Sequence, residues 1–126
     1  MSDTIVGACH CGAISVTVPA DSVGVVACHC GDCQKLHGNF FAMLAVDRSQ
    51  ATWSGEENIR WYSSSAKARR SFCAQCGSRL SKDPQGSPKV LVSVGLFDKT
   101  LPRHVIKHVF SEAKPAWYEI AEQTHG

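Results

Sequence analysis

The chain lacks the marks of a secreted or membrane protein. Met1-Ser2-Asp3-Thr4-Ile5 has no basic start and no apolar core, so it does not read as a signal peptide. No run approaches the roughly 18 apolar residues of a membrane span. Charge of one sign is scarce too. Thirteen Lys and Arg against eleven Asp and Glu leave +2 over 126 residues, which gives no reason to expect a nucleic acid or membrane partner. No segment keeps a 3.6-residue apolar period over the length a helix needs. Repeats, linkers and low-complexity stretches are missing, and no break in composition marks a second domain. Residues 1–126 are therefore expected to form one domain, in a reducing cytoplasm.

What the chain does have is cysteine, in three short clusters. All seven fall in Cys9-His10-Cys11, Cys28-His29-Cys30-Gly31-Asp32-Cys33 and Cys73-Ala74-Gln75-Cys76. A disulfide framework fits them badly. Seven is odd, and sulfurs two residues apart bridge only under strain. Metal binding fits better. Tetrahedral zinc needs thiolates converging from turns or from same-face strand positions. A C-x-x-C followed by Gly77 is a tight turn in which glycine supplies a positive φ. Soft thiolates select zinc, with iron the main competitor.

Seven divides into four plus three. Four protein ligands close a structural site, whereas three leave a position open for water or substrate. The compact Cys28, Cys30 and Cys33 suit the open site, and Cys9, Cys11, Cys73 and Cys76 the closed one. Spacing does not force this: Cys9, Cys11, Cys28 and Cys30 against Cys33, Cys73 and Cys76 is also arithmetically possible, and a histidine could close the triple. With seven thiolates and two zinc ions the formal charge becomes about −1.

Strands are expected where apolar residues alternate or run together between turn signals. Ile14, Val16 and Val18 alternate up to Pro19. Further candidates are Val23 to Ala27, Phe40 to Val46, Ala51 to Trp53, Ile59 to Tyr62, Arg69 to Phe72, Val90 to Val94, His104 to Phe110 and Trp117 to Ile120. Asp32 to His37 is expected to make one helical turn. Residues 83–88, with two prolines and a glycine, read as a loop.

Other polar residues receive plain readings. His10 and His29, each between two ligands, are expected to point away from the metal, at the surface or supporting the ligands. His37, four residues after Cys33, could reach the open position. Packing or hydrogen bonding is the expectation for His104; His108 and His125 carry no signal. Asp32 is expected to cap the turn it opens. Lys67-Ala68-Arg69-Arg70 reads as a solvated strand face, unless it borders the open metal and attracts an anion. Phe40, Phe41, Trp61 and Phe72 are expected in the core, with one of them walling the pocket.

G-x-C-x-C-G at Gly7 to Gly12, C-H-C-x-x-C at Cys28 to Cys33 and F-C-x-x-C-G at Phe72 to Gly77 together resemble the glutathione-dependent formaldehyde-activating (GFA) family. Gly38-Asn39-Phe40, Arg70, Leu96-Phe97-Asp98, Pro102-x-His104 and Trp117 add to the likeness, which spans almost the whole chain. The resemblance implies a mostly β, single-domain fold of small coiled antiparallel sheets organised around two zinc ions. It implies a structural zinc on Cys9, Cys11, Cys73 and Cys76 and a catalytic zinc on Cys28, Cys30 and Cys33. The implied activity is that of a carbon–sulfur lyase, similar to an S-(hydroxymethyl)glutathione synthase, whose partners are a thiol (glutathione or similar) and formaldehyde or another small aldehyde. Two alternatives share the sites: a non-catalytic zinc module that binds a protein, and a zinc enzyme acting on a different small molecule.

Overall fold

A computed structural model describes residues 3–22, 24–101 and 104–120. Val23, Pro102 and His125, named above, lie outside them. Among the described residues ten strands follow in order: β1 Thr4–Ala8, β2 Ser15–Pro19, β3 Val25–Cys28, β4 Phe41–Asp47, β5 Thr52–Ser54, β6 Ile59–Ser65, β7 Ala68–Cys73, β8 Arg79–Pro84, β9 Lys89–Ser93 and β10 Val105–Val109. One seven-residue helix, α1 (Gly31–His37), joins β3 to β4. Among the described residues, no helix is long and apolar enough to cross a membrane.

The strands make two sheets. One is β1-β2-β5; the other is β10-β3-β4-β9-β8-β7-β6. Every pairing is antiparallel except β10 with β3, which run parallel. The fold is thus mostly β, as expected, with one parallel pair that the alternation of residues does not announce.

Strand periodicity divides the large sheet into two faces. On β4, Leu44 and Val46 join Val90 and Val92 of β9 and Val16 and Val18 of β2 in the main core. That face meets the three-stranded sheet. Phe41 and Met43 lie at the opposite parity and pack with Cys28 and Cys33 in a separate small cluster. A third cluster holds Cys9, Ile14, Cys73 and Leu80. Each group of thiols is thus packed against apolar side chains of its own.

Four expectations need correction. Trp117 to Ile120 is not a strand: the Tyr118 N–H donates to the Pro115 carbonyl at 3.2 Å, closing a turn with no neighbouring strand. Asp83 and Pro84 belong to β8 rather than to a loop, because β7 pairs with them through Arg69 and Ala68. Trp61 is 43% exposed rather than in the core, and the Arg69 guanidinium lies 3.7 Å over its ring. Finally, α1 is capped by Cys30, not Asp32. The Cys30 sulfur accepts the Cys33 N–H at 3.4 Å, while exposed Asp32 sits within the first turn.

Candidate metal centres

Two thiol groups converge in the structure. The sulfurs of Cys9, Cys11, Cys73 and Cys76 lie within 4.8 Å of one another, as do those of Cys28, Cys30 and Cys33. The four-plus-three grouping is the one the folded chain adopts. All seven cysteines are unbridged.

Turns bring the four together. The Gly12 N–H donates to the Cys9 carbonyl at 3.0 Å, and the Gly77 N–H to the Cys73 carbonyl at 2.9 Å. Both glycines sit at positive φ, 81° and 80°, a conformation that costs a residue with a Cβ. Strand parity is not what aligns Cys9 with Cys11, since both follow the end of β1. Backbone amides then aim at sulfur: Ile14 at Cys9 (3.3 Å) and Gln75 at Cys73 (3.4 Å). Ser78 Oγ lies 3.1 Å from Cys76 Sγ, and its hydrogen bond is the chief reason the Cys76 thiol is lowered to about 5.

Distances test whether a metal suits this set. Four sulfurs about 2.3 Å from a shared tetrahedral centre stand about 3.8 Å apart. Cys9 to Cys11 and Cys11 to Cys73 each measure 3.7 Å. A disulfide would hold its sulfurs at about 2.05 Å. The spacing therefore fits four thiolates around one ion, and the donor set could hold it without further ligands.

The triple forms where β3 gives way to α1. Cys28 ends the strand, Cys30 caps the helix and Cys33 lies in its first turns. Cys28 and Cys33 are buried; Cys30 is half-buried. No histidine joins this group among the described residues. His37, the candidate for the open position, is turned elsewhere. Its ring stacks on Phe41 at 4.3 Å, and its Nε2 accepts from Arg70 Nη1 at 3.4 Å. Burial first, then the Arg70 and Arg79 charges, push the His37 pKa down to about 4, so the ring is neutral at pH 7.

Arg70 departs from the solvated face expected of Lys67 to Arg70 and instead borders the triple. It is 5% exposed, not solvated. Nη1 and Nη2 each donate to Cys33 Sγ at 3.5 Å, and Nε donates to Ser64 Oγ at 3.1 Å. Its neighbour Arg69 faces outward and pairs with Asp83 at 3.0 Å. The alternation of a strand sends the two adjacent arginines to opposite environments. Among the described residues no carboxylate meets Arg70; the Cys33 sulfur, the Ser64 hydroxyl and the His37 ring accept from it.

His10 is exposed, as expected, but His29 is fully buried. Its Nε2 lies 2.8 Å from Nδ1 of His108, and its ring lies near Phe40 and Tyr118. It supports the Cys28–Cys30 segment rather than reaching the surface or joining the thiols. His104 contributes a carbonyl that accepts from the Val25 N–H at 3.1 Å, where β10 begins to align with β3.

Comparison with known proteins bears on the fold and the family. A Schizosaccharomyces pombe protein described as an uncharacterized lyase is 27% identical over 119 residues, covering 94% of this chain and 86% of that one. A crystal structure of a Rhodobacter sphaeroides protein shares the fold, with a TM-score of 0.63 and 23% identity, covering 82% of this chain and 99% of the other. The family model described as glutathione-dependent formaldehyde-activating enzyme matches residues 4–113, nearly the whole chain, and the protein belongs to that family.

Proposed function

We propose that the protein is a zinc-dependent carbon–sulfur lyase acting on the adduct of a thiol, glutathione or similar, with formaldehyde or another small aldehyde. In this reading Cys9, Cys11, Cys73 and Cys76 hold a structural zinc, and Cys28, Cys30 and Cys33 hold the catalytic one. Family membership supports the reaction class. The observation that carries the site assignment is the three-thiol set with the buried Arg70 fork on Cys33.

The reaction itself is balanced by its two substrates. The thiol sulfur bonds to the carbonyl carbon, the carbonyl becomes a hydroxyl, and the thiol proton ends on that oxygen. The reverse breaks the carbon–sulfur bond. Bound zinc would supply a fourth position that keeps a thiol ionised at neutral pH. The chain's own groups prepare that position. With a divalent ion bound, three thiolates would carry −1, which the Arg70 guanidinium would offset inside a region of low dielectric. Cys30 is fixed by the helix N-terminus that it caps. Neutral His37 fills the space beside Arg70 without adding charge. Phe41 and Met43 back the thiols and keep water from that side.

The test counts zinc per chain and follows adduct exchange by NMR, in wild type and in Cys30→Ser, under reducing conditions. Two zincs and accelerated exchange should fall to one zinc and the uncatalysed rate, with the fold retained. Two zincs without acceleration for any thiol–aldehyde pair would defeat the lyase reading.

A further inference from the structure

A cavity of about 330 Å³ opens between α1 and the β6–β8 part of the large sheet. That is the lower end of the about 300–1,000 Å³ typical of small-molecule sites. Leu36, Tyr62 and Phe72 give it apolar walls, and His37, Arg70 and Arg79 give it polar ones. Phe72 is thus the aromatic that walls a pocket. Among the described residues no acidic side chain lines it.

The two arginines differ in what they still have to offer. Arg70 has committed all three of its nitrogens to Cys33, His37 and Ser64. Arg79 is exposed and held at one end: Nε donates to the Leu36 carbonyl at 3.2 Å and Nη1 to the Gly77 carbonyl at 3.0 Å. Its guanidinium also lies 5.6 Å over the Phe72 ring. Among the described residues, Nη2 has no partner and no carboxylate pairs with Arg79. The result is a guanidinium anchored by two carbonyls in the wall of a part-apolar cavity, with donors still to offer.

We propose that this cavity binds an organic acid, its carboxylate on Arg79 and its short apolar body against Leu36, Tyr62 and Phe72. The lyase reading above makes this acid part of the substrate, because Arg70 joins the cavity wall to Cys33. The carboxylate could belong to the thiol or to the aldehyde. A neutral ligand would gain no charge-assisted hydrogen bond from Arg79, and a cationic one would meet two arginines.

Phenylacetate tests the cavity by itself, since it is neither thiol nor aldehyde. Calorimetric titration of the full, metal-loaded, reduced chain should show phenylacetate binding about tenfold more tightly than phenylacetamide. Arg79→Gln should abolish that preference, and Arg79→Lys should restore part of it. Tyr62→Ala should weaken acid and amide alike. Equal affinity for acid and amide, or a preference that survives Arg79→Gln, overturns the proposal; so does a failure of phenylacetate to bind. The source of the carboxylate follows from two assays, 3-mercaptopropionate with formaldehyde and 2-mercaptoethanol with 4-oxobutanoate. A lower KM than that of the neutral counterpart identifies the acid-bearing partner. The two readings fail separately. Phenylacetate binding without any thiol–aldehyde turnover keeps the cavity and removes the lyase; turnover without acid binding does the reverse.

Discussion

Arg70 holds Cys33 with both terminal nitrogens of its guanidinium, each 3.5 Å from the sulfur. A cation that is 5% exposed needs a compensating charge. Without a metal, the hydrogen bond to Cys28 and then burial push the Cys33 thiol up, so the charge would come from a metal-bound Cys33 thiolate. The contact would then tie β7 to α1 by charge, and metal binding at the triple to the stability of the fold.

Arg70→Met should show this directly. Removing one partner of a buried pair leaves the other uncompensated, at a cost of about 3 kcal/mol. The metal content of the triple should fall with it. Arg70→Lys keeps the charge but not the fork, and should lie between the two. Urea unfolding and zinc per chain measure both effects. Wild-type values for Arg70→Met would mean that the contact carries no charge compensation.

The cysteine clusters were legible because ligand type and spacing are chemical signals that survive without a structure. Gly77 was legible for the same reason, since a knuckle needs its positive φ. Arg69 and Arg70 were not. They are adjacent and identical, and only the pairing of β7 with β6 and β8 decides which one turns inward. Strand β8 was missed because Lys82 and Asp83 hide its periodicity; Asp83 stands opposite Arg69 and pairs with it, so that end of the strand is held partly by charge rather than by an apolar stripe. Trp117 to Ile120 misled in the opposite way. Its aromatic content suggested a strand, but Tyr118 is used to cover His29 and Phe40.

Asp83 should set an acid limit to stability. Burial alone would raise its pKa, but hydrogen bonds from Arg48 and Arg69 outweigh that and hold the carboxyl below its usual value. A folded-state pKa below the unfolded one means that the stabilisation is complete above the unfolded carboxylate pKa. It is lost as pH falls through the lower, folded value. Asp83→Asn should lose about 1 kcal/mol at pH 7, given how exposed both arginines are. The gap from wild type should close as pH falls below the ordinary aspartate range. Denaturation at several pH values checks this, and a gap that widens in acid would contradict it.

Gly55 should tolerate no side chain. It sits at φ 82°, and a Cβ there would collide with the Ala13 carbonyl oxygen. Ala13 follows the Cys9–Gly12 turn, so the strain would fall next to the four-thiol group. Gly55→Ala should cost about 2 kcal/mol or more, read as a lower melting temperature. An unchanged melting temperature would show that the β5 turn can move aside.

The two thiol groups should differ in what they do for the fold, and chain separation says which way. Cys28, Cys30 and Cys33 lie within six residues, so a metal there closes a loop that the β3–α1 junction already closes. Cys9 and Cys11 meet Cys73 and Cys76 across a sequence separation of 62 for the measured Cys11–Cys73 pair. A cross-link over that distance removes far more freedom from the unfolded chain. Cys73 is also 1% exposed and packs against Ile14 and Leu80. Cys30→Ser should therefore lose one metal ion and keep cooperative unfolding. Cys73→Ser should lower the melting temperature by on the order of 10 °C or abolish the transition. Calorimetry of both variants, with zinc counted in each, separates the cases. Equal losses would mean that the local triple bears as much of the fold as the long-range four, which chain entropy cannot explain.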